Sequence, residues 1–432
     1  MKFPTAVILI SLSQLAFGQQ QMPAMPPRSS PLTLEQIEAV AMVGNPEIRT
    51  AVRRVSVAQT RVPGAGALDD PMFMYRDWGT PLNRPYDLNQ AQNMFMLQQT
   101  FAGPGKRAAR SDVAGKEVEV AKEQLEATRR DVQARVRKSF YDLMRNADEL
   151  RVHDEQMQLT KQALGSATVK YTVGRVPQQD VLKAQIAITR LEEHLIMLEE
   201  QGEMARASLN TLMGRDPSTP LEIAGRYSTV AHIPSLAKLE QIAVENRPEL
   251  RAYAAQQKVA EARANLAGKA YTPDYTVAAG YMLMPAGSMT RNNYMAELTV
   301  NLPWLNRRKH DSEIAEAKAM TETTNAEYEM RRSAVSLEIQ EALIKVRSAQ
   351  RALELYRDTL RPQAEATFRS AAAAYQHDRT DFLNLIDSQN MMLDVQSSFY
   401  RTAAELDSRL ADLERAIGAA VPREEAGNGV RQ

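Results

Sequence analysis

The chain repeats itself once, and this limits its fold more than any other feature. Asn45-Pro46-Glu47-Ile48-Arg49 returns as Arg247-Pro248-Glu249-Leu250-Arg251, 202 residues later. Leu97-Gln98-Gln99-Thr100-Phe101, followed by Lys106-Arg107, returns as Leu298-Thr299-Val300-Asn301-Leu302, followed by Arg308-Lys309. Tyr171-Thr172-Val173-Gly174-Arg175 returns as Tyr375-Gln376-His377-Asp378-Arg379 at an offset of 204. A glutamine, Gln185 or Gln389, lies ten residues past each arginine. Three anchors in one order at nearly one offset describe a duplicated half-protein, because the period far exceeds that of a solenoid. Gly, Pro, Ser and Thr cluster between Gly214 and Ser235, the composition of a connection. The expected units are residues 34–214 and 235–418, with a linker at 215–234.

Each half follows one plan: helix, strand pair, very long helix, turn, helix. Leu34 to Arg61 and Leu236 to Ala267 read as helices. Residues about 70–101 and 273–303 alternate apolar and polar, the period of strands. Each pair is two strands of about ten residues, joined by a polar loop (Trp78 to Gln92, Pro285 to Asn292). Pro104 with its flanking glycines, and Pro303, end the strands. Val335, Ile339, Ala342, Val346, Ala349, Leu353, Tyr356 and Leu360 then form a heptad seam. Leu191, Leu195, Leu198, Gly202, Ala205, Leu209 and Leu212 form its counterpart. Gly105 to Tyr171 as one helix runs about 100 Å, a length that suits a coiled-coil column. Only 6% of residues are aromatic, in keeping with helices in mutual contact.

Several functions drop out. Lysine plus arginine and aspartate plus glutamate both number 53, so no basic excess points to nucleic acid. With no cysteine, disulfide frameworks, thiolate metal sites, cysteine nucleophiles and a lipidated cysteine are excluded. None of the five histidines (His153, His194, His232, His310, His377) sits in H-E-x-x-H, and Leu191 precedes His194 where a di-iron E-x-x-H needs glutamate. Phosphate-loop, dinucleotide and nucleophile-elbow motifs are missing. The expectation is a protein without catalysis or cofactor.

Lys2, the apolar run Ala6 to Leu12 and the small residues of Ala16-Phe17-Gly18 lay out a signal peptide over residues 1–18. Residues 19–33 read as a loose segment and 419–432 as a disordered tail. No later stretch is apolar for long enough to be a membrane helix. Ten-residue strands nevertheless suit a tilted membrane crossing. Four cannot close a barrel, and open edges are excluded from lipid. Three copies would supply twelve strands, an even number within the range of membrane barrels.

The duplicated plan, the Asn-Pro-Glu-Ile-Arg start, the Lys/Arg cluster after each strand pair and Tyr-x-x-Gly-Arg at a helical turn resemble the TolC-like outer-membrane efflux proteins. The resemblance implies a mainly α protein with a small β part. It implies a homotrimer with a 12-stranded barrel in the outer membrane of a Gram-negative bacterium. A periplasmic tunnel of coiled helices would receive substrate from an inner-membrane pump of the resistance-nodulation-division type through a periplasmic adaptor (membrane fusion protein). The turn Pro303-Trp304-Leu305-Asn306-Arg307-Arg308-Lys309 and the methionines look closest to the heavy-metal branch, with copper or silver as cargo. Multidrug or type I protein-secretion channels are the alternatives. A periplasmic adaptor would have one hairpin and β-rich modules, and a coiled-coil scaffold would lack alternating strands.

By the same resemblance Asp387, Asn384 and Asp180 would ring the closed end of the tunnel, with Asp381 near enough to add charge. Gly174, Arg175 and Val176, and Asp378, Arg379 and Thr380, would be hairpin tips that meet the adaptor. Lys106, Arg107 and Arg110, with Arg307, Arg308 and Lys309, would lie where barrel meets tunnel, near lipid headgroups. The strand methionines Met72, Met74, Met94, Met96, Met282, Met284 and Met295 all alternate onto the face shared with Arg76, Gln98, Thr100, Thr276, Glu297 and Thr299. That polar face would line the lumen. Thioethers there suit soft monovalent metal, or simply fill space.

Overall fold

A computed structural model describes residues 31–80, 89–228, 233–377 and 379–421. The expected signal peptide, the segment up to residue 30, Asp378 and the tail beyond residue 421 lie outside the described residues.

Each half opens with two short helices rather than the single one expected: α1 (Leu34–Gly44) and α2 (Pro46–Ala65), then α5 (Leu236–Asn246) and α6 (Pro248–Gly268). Proline lacks an N–H and pushes its predecessor out of helical backbone. Asn45 and Arg247 are accordingly extended, with ψ of 128° and 117°. Asn45 caps α2, its Oδ1 accepting from Glu47 and Ile48 N–H at 2.8 and 3.3 Å. Its Nδ2 donates to Leu212 O at 2.8 Å. Arg247 is fully buried, donating to Glu249 (3.2 Å), Glu338 (2.5 Å) and Ala416 O (3.1 Å).

Four strands form one antiparallel sheet in chain order: β1 (Met72–Trp78), β2 (Gln92–Phe101), β3 (Tyr275–Leu283) and β4 (Asn292–Val300). β1 has seven residues rather than about ten. The central β2–β3 pairing, from Asn93↔Leu283 to Phe101↔Tyr275, joins the two halves.

Below the sheet, α3 (Lys106–Thr172) runs unbroken for 67 residues and α4 (Gln178–Leu212) returns along it. The second half differs. Its seam holds from Val335 through Ala349, which are buried on α7 (Arg307–Leu355). Leu353, Tyr356 and Leu360 carry the seam on half-buried, with exposed residues between them, but Tyr356–Leu360 form a π-helical turn before α8 (Arg361–Gln376). Pro362 gives the reason: it cannot donate to a carbonyl one turn back, and its ring crowds that carbonyl. The wider turn makes room, with Arg361 N–H reaching Tyr356 O. No proline occurs in α3. The final helix is α9 (Phe382–Ile417).

Two apolar centres flank the repeat junction. Ile37, Ala41, Val132, Val136, Phe140 and Leu209 form one. Leu239, Ala243, Ile339, Val346, Leu410 and Leu413 form the other. Arg137 of α3 clamps them, bonded to Glu38 of α1 and Glu414 of α9. Smaller clusters join α3 and α4 to α8 and α9 further down.

Candidate functional site

The sheet has two unlike faces. Phe73, Tyr75, Phe95, Leu97, Val277, Tyr294, Leu298 and Val300 stand exposed on one, Tyr294 at 89%. Tyr75 stacks near Phe95 (ring centroids 5.1 Å), Phe101 on Tyr275 (5.5 Å) and Tyr281 near Tyr294 (5.7 Å), each pair across neighbouring strands. The opposite face carries the methionines in rows. Met74, Met96, Gly280 and Met295 are in register across all four strands, and Arg76, Met94, Met282 and Asn293 form the next row. Met72 begins a third, opposite Gln98. Met284 departs from the expectation: β3 ends at Leu283, and Met284 lies just beyond it, its N–H donating to Arg291 O.

Neighbouring N–H groups already engage several thioethers. Gln98 Nε2 points at Met72 Sδ (3.7 Å), Arg76 at Met74 Sδ (3.6 Å), and Gln92 at Met282 Sδ. Met96 is only 4% exposed and lies over Gly280, where a Cβ would meet its Cγ at 2.7 Å. Among the described residues no group of three or more His, Cys, Asp or Glu is placed to hold a metal.

At the seam between sheet and helices, Lys106 Nζ and Gly103 N–H both donate to Asp274 Oδ1, at 2.8 and 2.7 Å. Burial pushes this carboxyl upward, but the ammonium and the N–H outweigh it and hold it below the usual aspartate range. Arg107 Nε donates to Gly66 O. Part of the basic cluster is therefore occupied in tying α3 to β3 and α2.

The two turns at the far end close by the same chemistry. Arg175 N–H reaches Lys170 O and Arg379 N–H reaches Ala374 O, both at 2.9 Å. Such bonds satisfy the last carbonyls of a helix. Gly174 has φ of +72°, a conformation glycine adopts freely. Val176 and Thr380 are half-buried, and Gly174, Arg175 and Arg379 exposed. The hairpins are pinned together by Lys170, whose Nζ donates to Tyr375 O (2.6 Å) and lies 4.0 Å from the Tyr375 ring centroid. Phe382, Leu385, Ala167 and Ala184 pack beneath.

Asn384 and Asp387 fall on one exposed face of α9 with Leu383 and Met391. Asn384 Nδ2 donates to Thr380 Oγ1 at 3.1 Å. Asp180 stands apart in the first turn of α4, half-buried. Asp381 is the N-cap of α9, accepting from Asn384 N–H at 3.0 Å. Sequence reasoning missed the bonds that tie α9 to α3 just above this face. Buried Gln389 donates to Thr160 Oγ1 at 2.8 Å, Gln156 donates to Asn390 Oδ1 at 3.2 Å, and Arg151 donates to Tyr400 Oη at 2.6 Å. Tyr227 donates to Asp148, and burial together with that charge pushes the phenol pKa well above its ordinary value. The repeated glutamine, Gln185 and Gln389, was the only signal for this layer.

The outer membrane efflux protein family matches residues 41–215 and 239–419. The chain is 20% identical over 418 residues to the cobalt-zinc-cadmium resistance protein CzcC of Cupriavidus metallidurans, covering 94% of this chain and 95% of that protein. It is 22% identical over 335 residues to the nickel-cobalt-cadmium resistance protein NccC of Alcaligenes xylosoxydans xylosoxydans, covering 76% and 74%. Its fold is similar to the solved structure of CusC, with a TM-score of 0.76, 15% identity, and 90% and 92% of the chains covered.

Proposed function

Since the chain belongs to the outer membrane efflux protein family, we propose that three copies build a passive exit duct through the outer membrane, handing on heavy-metal ions delivered by an inner-membrane pump and a periplasmic adaptor. The family's members are ducts rather than enzymes, and the chain is an efflux channel. One observation carries the membrane reading: the two-faced sheet. Its aromatic and aliphatic face suits lipid, its methionine and amide face suits a lumen, and twelve strands from three copies leave no open edge. Exposed stripes agree with a column of copies. Met330, Leu337 and Ile344 recur every seven residues on α7, and Ile196, Met197 and Met204 stand out on α4.

Within that duct the α9 face of Asn384 and Asp387, with Asp180 of α4, is the proposed constriction, where three Asp387 carboxylates would favour cations. Opening would swing α8 and α9 away from α3. The tips, Gly174 to Val176 and Asp378 to Thr380, would take the adaptor. Asp387→Ala should raise single-channel conductance; an unchanged conductance removes Asp387 from the gate.

Cobalt, zinc, cadmium and nickel, named for the two relatives, are the first cargo reading. Copper or silver is the second, favoured by the methionine rows, since thioethers suit soft monovalent ions. A deletion strain grown across a metal and drug panel decides between them. Sensitivity to dyes and antibiotics alone would remove metal cargo. Loss of copper or silver resistance, unrescued by a well-expressed strand Met→Leu variant, would make the rows a soft-metal path. Release of the protein by alkaline carbonate would refute the barrel.

A further inference from the structure

We propose that His153 and His194 form a binding site for a borderline divalent cation, of the Zn²⁺, Co²⁺ or Ni²⁺ class, between α3 and α4. His153 is 3% exposed on α3. Its Nε2 lies 2.7 Å from Leu191 O of α4. A carbonyl only accepts, so Nε2 carries the proton and Nδ1 is left with a lone pair. That Nδ1 is buried and has no hydrogen-bond partner. A neutral imidazole with one N–H held by a backbone carbonyl and the other nitrogen bare is the arrangement of a metal-ligating histidine.

The second imidazole stands beside it. The His194 ring centroid is 5.8 Å from that of His153, at an interplanar angle of 40°. Two imidazoles sharing one tetrahedral ion, with bonds of about 2.0–2.1 Å, place their centroids about 5 Å apart, so a sub-ångström approach of the exposed His194 ring would close the pair. His194 is exposed, which gives the ion an entry side, and Leu191 O orients the buried ring. Imidazole suits zinc, nickel and related ions better than hard ones. Among the described residues no third His, Cys, Asp or Glu completes the set, so water reaching the ion from the exposed His194 side would have to supply the remaining ligands. A bound ion would tie the two helices of the first hairpin together. This site is independent of the channel's cargo, because it is read on the protein itself and not by export.

The test is a Co²⁺ titration of the full chain purified in detergent, followed by visible absorption, with Zn²⁺ competition. One Co²⁺ per chain is expected, displaced by Zn²⁺. His194→Gln and His153→Gln should each weaken binding at least tenfold, whereas His310→Gln and His377→Gln should not. His194 is exposed, so its variant will fold, and its result decides even if circular dichroism shows that His153→Gln has lost structure. Absence of a cobalt band at millimolar Co²⁺, or wild-type affinity in His194→Gln, would overturn the site.

Discussion

Replacing Thr160 with valine should bias the tunnel toward its open state. Thr160 and Gln389 are each 2% exposed, and the Gln389 amide donates to the Thr160 hydroxyl at 2.8 Å. Valine keeps the shape and deletes the acceptor. The amide is then left with Gln156 O at 3.4 Å, beyond the range of a good bond. A buried donor without a partner costs about 1–3 kcal/mol. If opening separates α9 from α3, water reaches the amide in either variant, so the cost falls on the closed state alone. At about 1.4 kcal/mol per chain the closed-to-open ratio drops about tenfold. In the proposed trimer, three chains opening together would multiply this to about a thousandfold. Open probability in planar bilayers measures it directly, and entry of a large antibiotic into cells reports it independently. The double variant Thr160→Val/Gln389→Leu replaces both partners by apolar groups and should restore most of the closure, since removing both ends is nearly neutral. A folded Thr160→Val trimer with wild-type open probability would refute the idea that this α3–α9 bond holds the gate.

Three further outcomes follow from the packing. Arg247→Met should destabilise the second half by about 3 kcal/mol, the low end for breaking a buried pair, because Arg331 still reaches Glu338 at 3.2 Å; urea unfolding followed by circular dichroism measures it. Gly280→Val should abolish the proposed trimer on unheated gels, since its Cβ would lie 2.6 Å from Phe95 O; wild-type trimer yield would count against that packing. Asp274 is held below its ordinary value of 3.8 in the folded chain, so its contribution is present at neutral pH and fades as pH falls through that folded value. The stability gap between wild type and Asp274→Asn should therefore shrink on acidification below about 3.8, followed by thermal unfolding at stepped pH.

Periodicity made the frame legible. A repeat of 3.5 residues along Val335 to Ala349 and a repeat of two along β2 and β3 are written in apolar spacing, and each survives in the structure. Single prolines were harder to weigh. Pro46 and Pro248 each break a helix that composition alone would continue, and Pro362 puts a π-helical turn into one that the heptad spacing alone would leave regular. The methionine face could be deduced because alternation assigns faces. The amides that occupy the sulfurs could not, since Gln98 is 26 residues from Met72 and Gln92 is 190 from Met282. Asp381 was legible only as a charge near Asn384; that its carboxylate also caps α9 rests on where α9 begins. The layer of Thr160 and Gln389 spans 229 residues, and only the recurrence of a glutamine hinted at it.

The β2–β3 seam also dictates an order of events during synthesis. The hairpins β1–β2 and β3–β4 each close locally, but Thr100 meets Thr276 across 176 residues, with the whole first helical excursion between them. Contacts of such separation form late. A lone two-stranded ribbon is marginal in water, and this one carries Phe73, Tyr75 and Phe95 uncovered. From the moment the first hairpin emerges until the second arrives, the nascent chain presents a sticky edge with no partner of its own. Aggregation competes with folding through that interval, and the combined length of α3 to α6, which separates β2 from β3, sets how long it lasts.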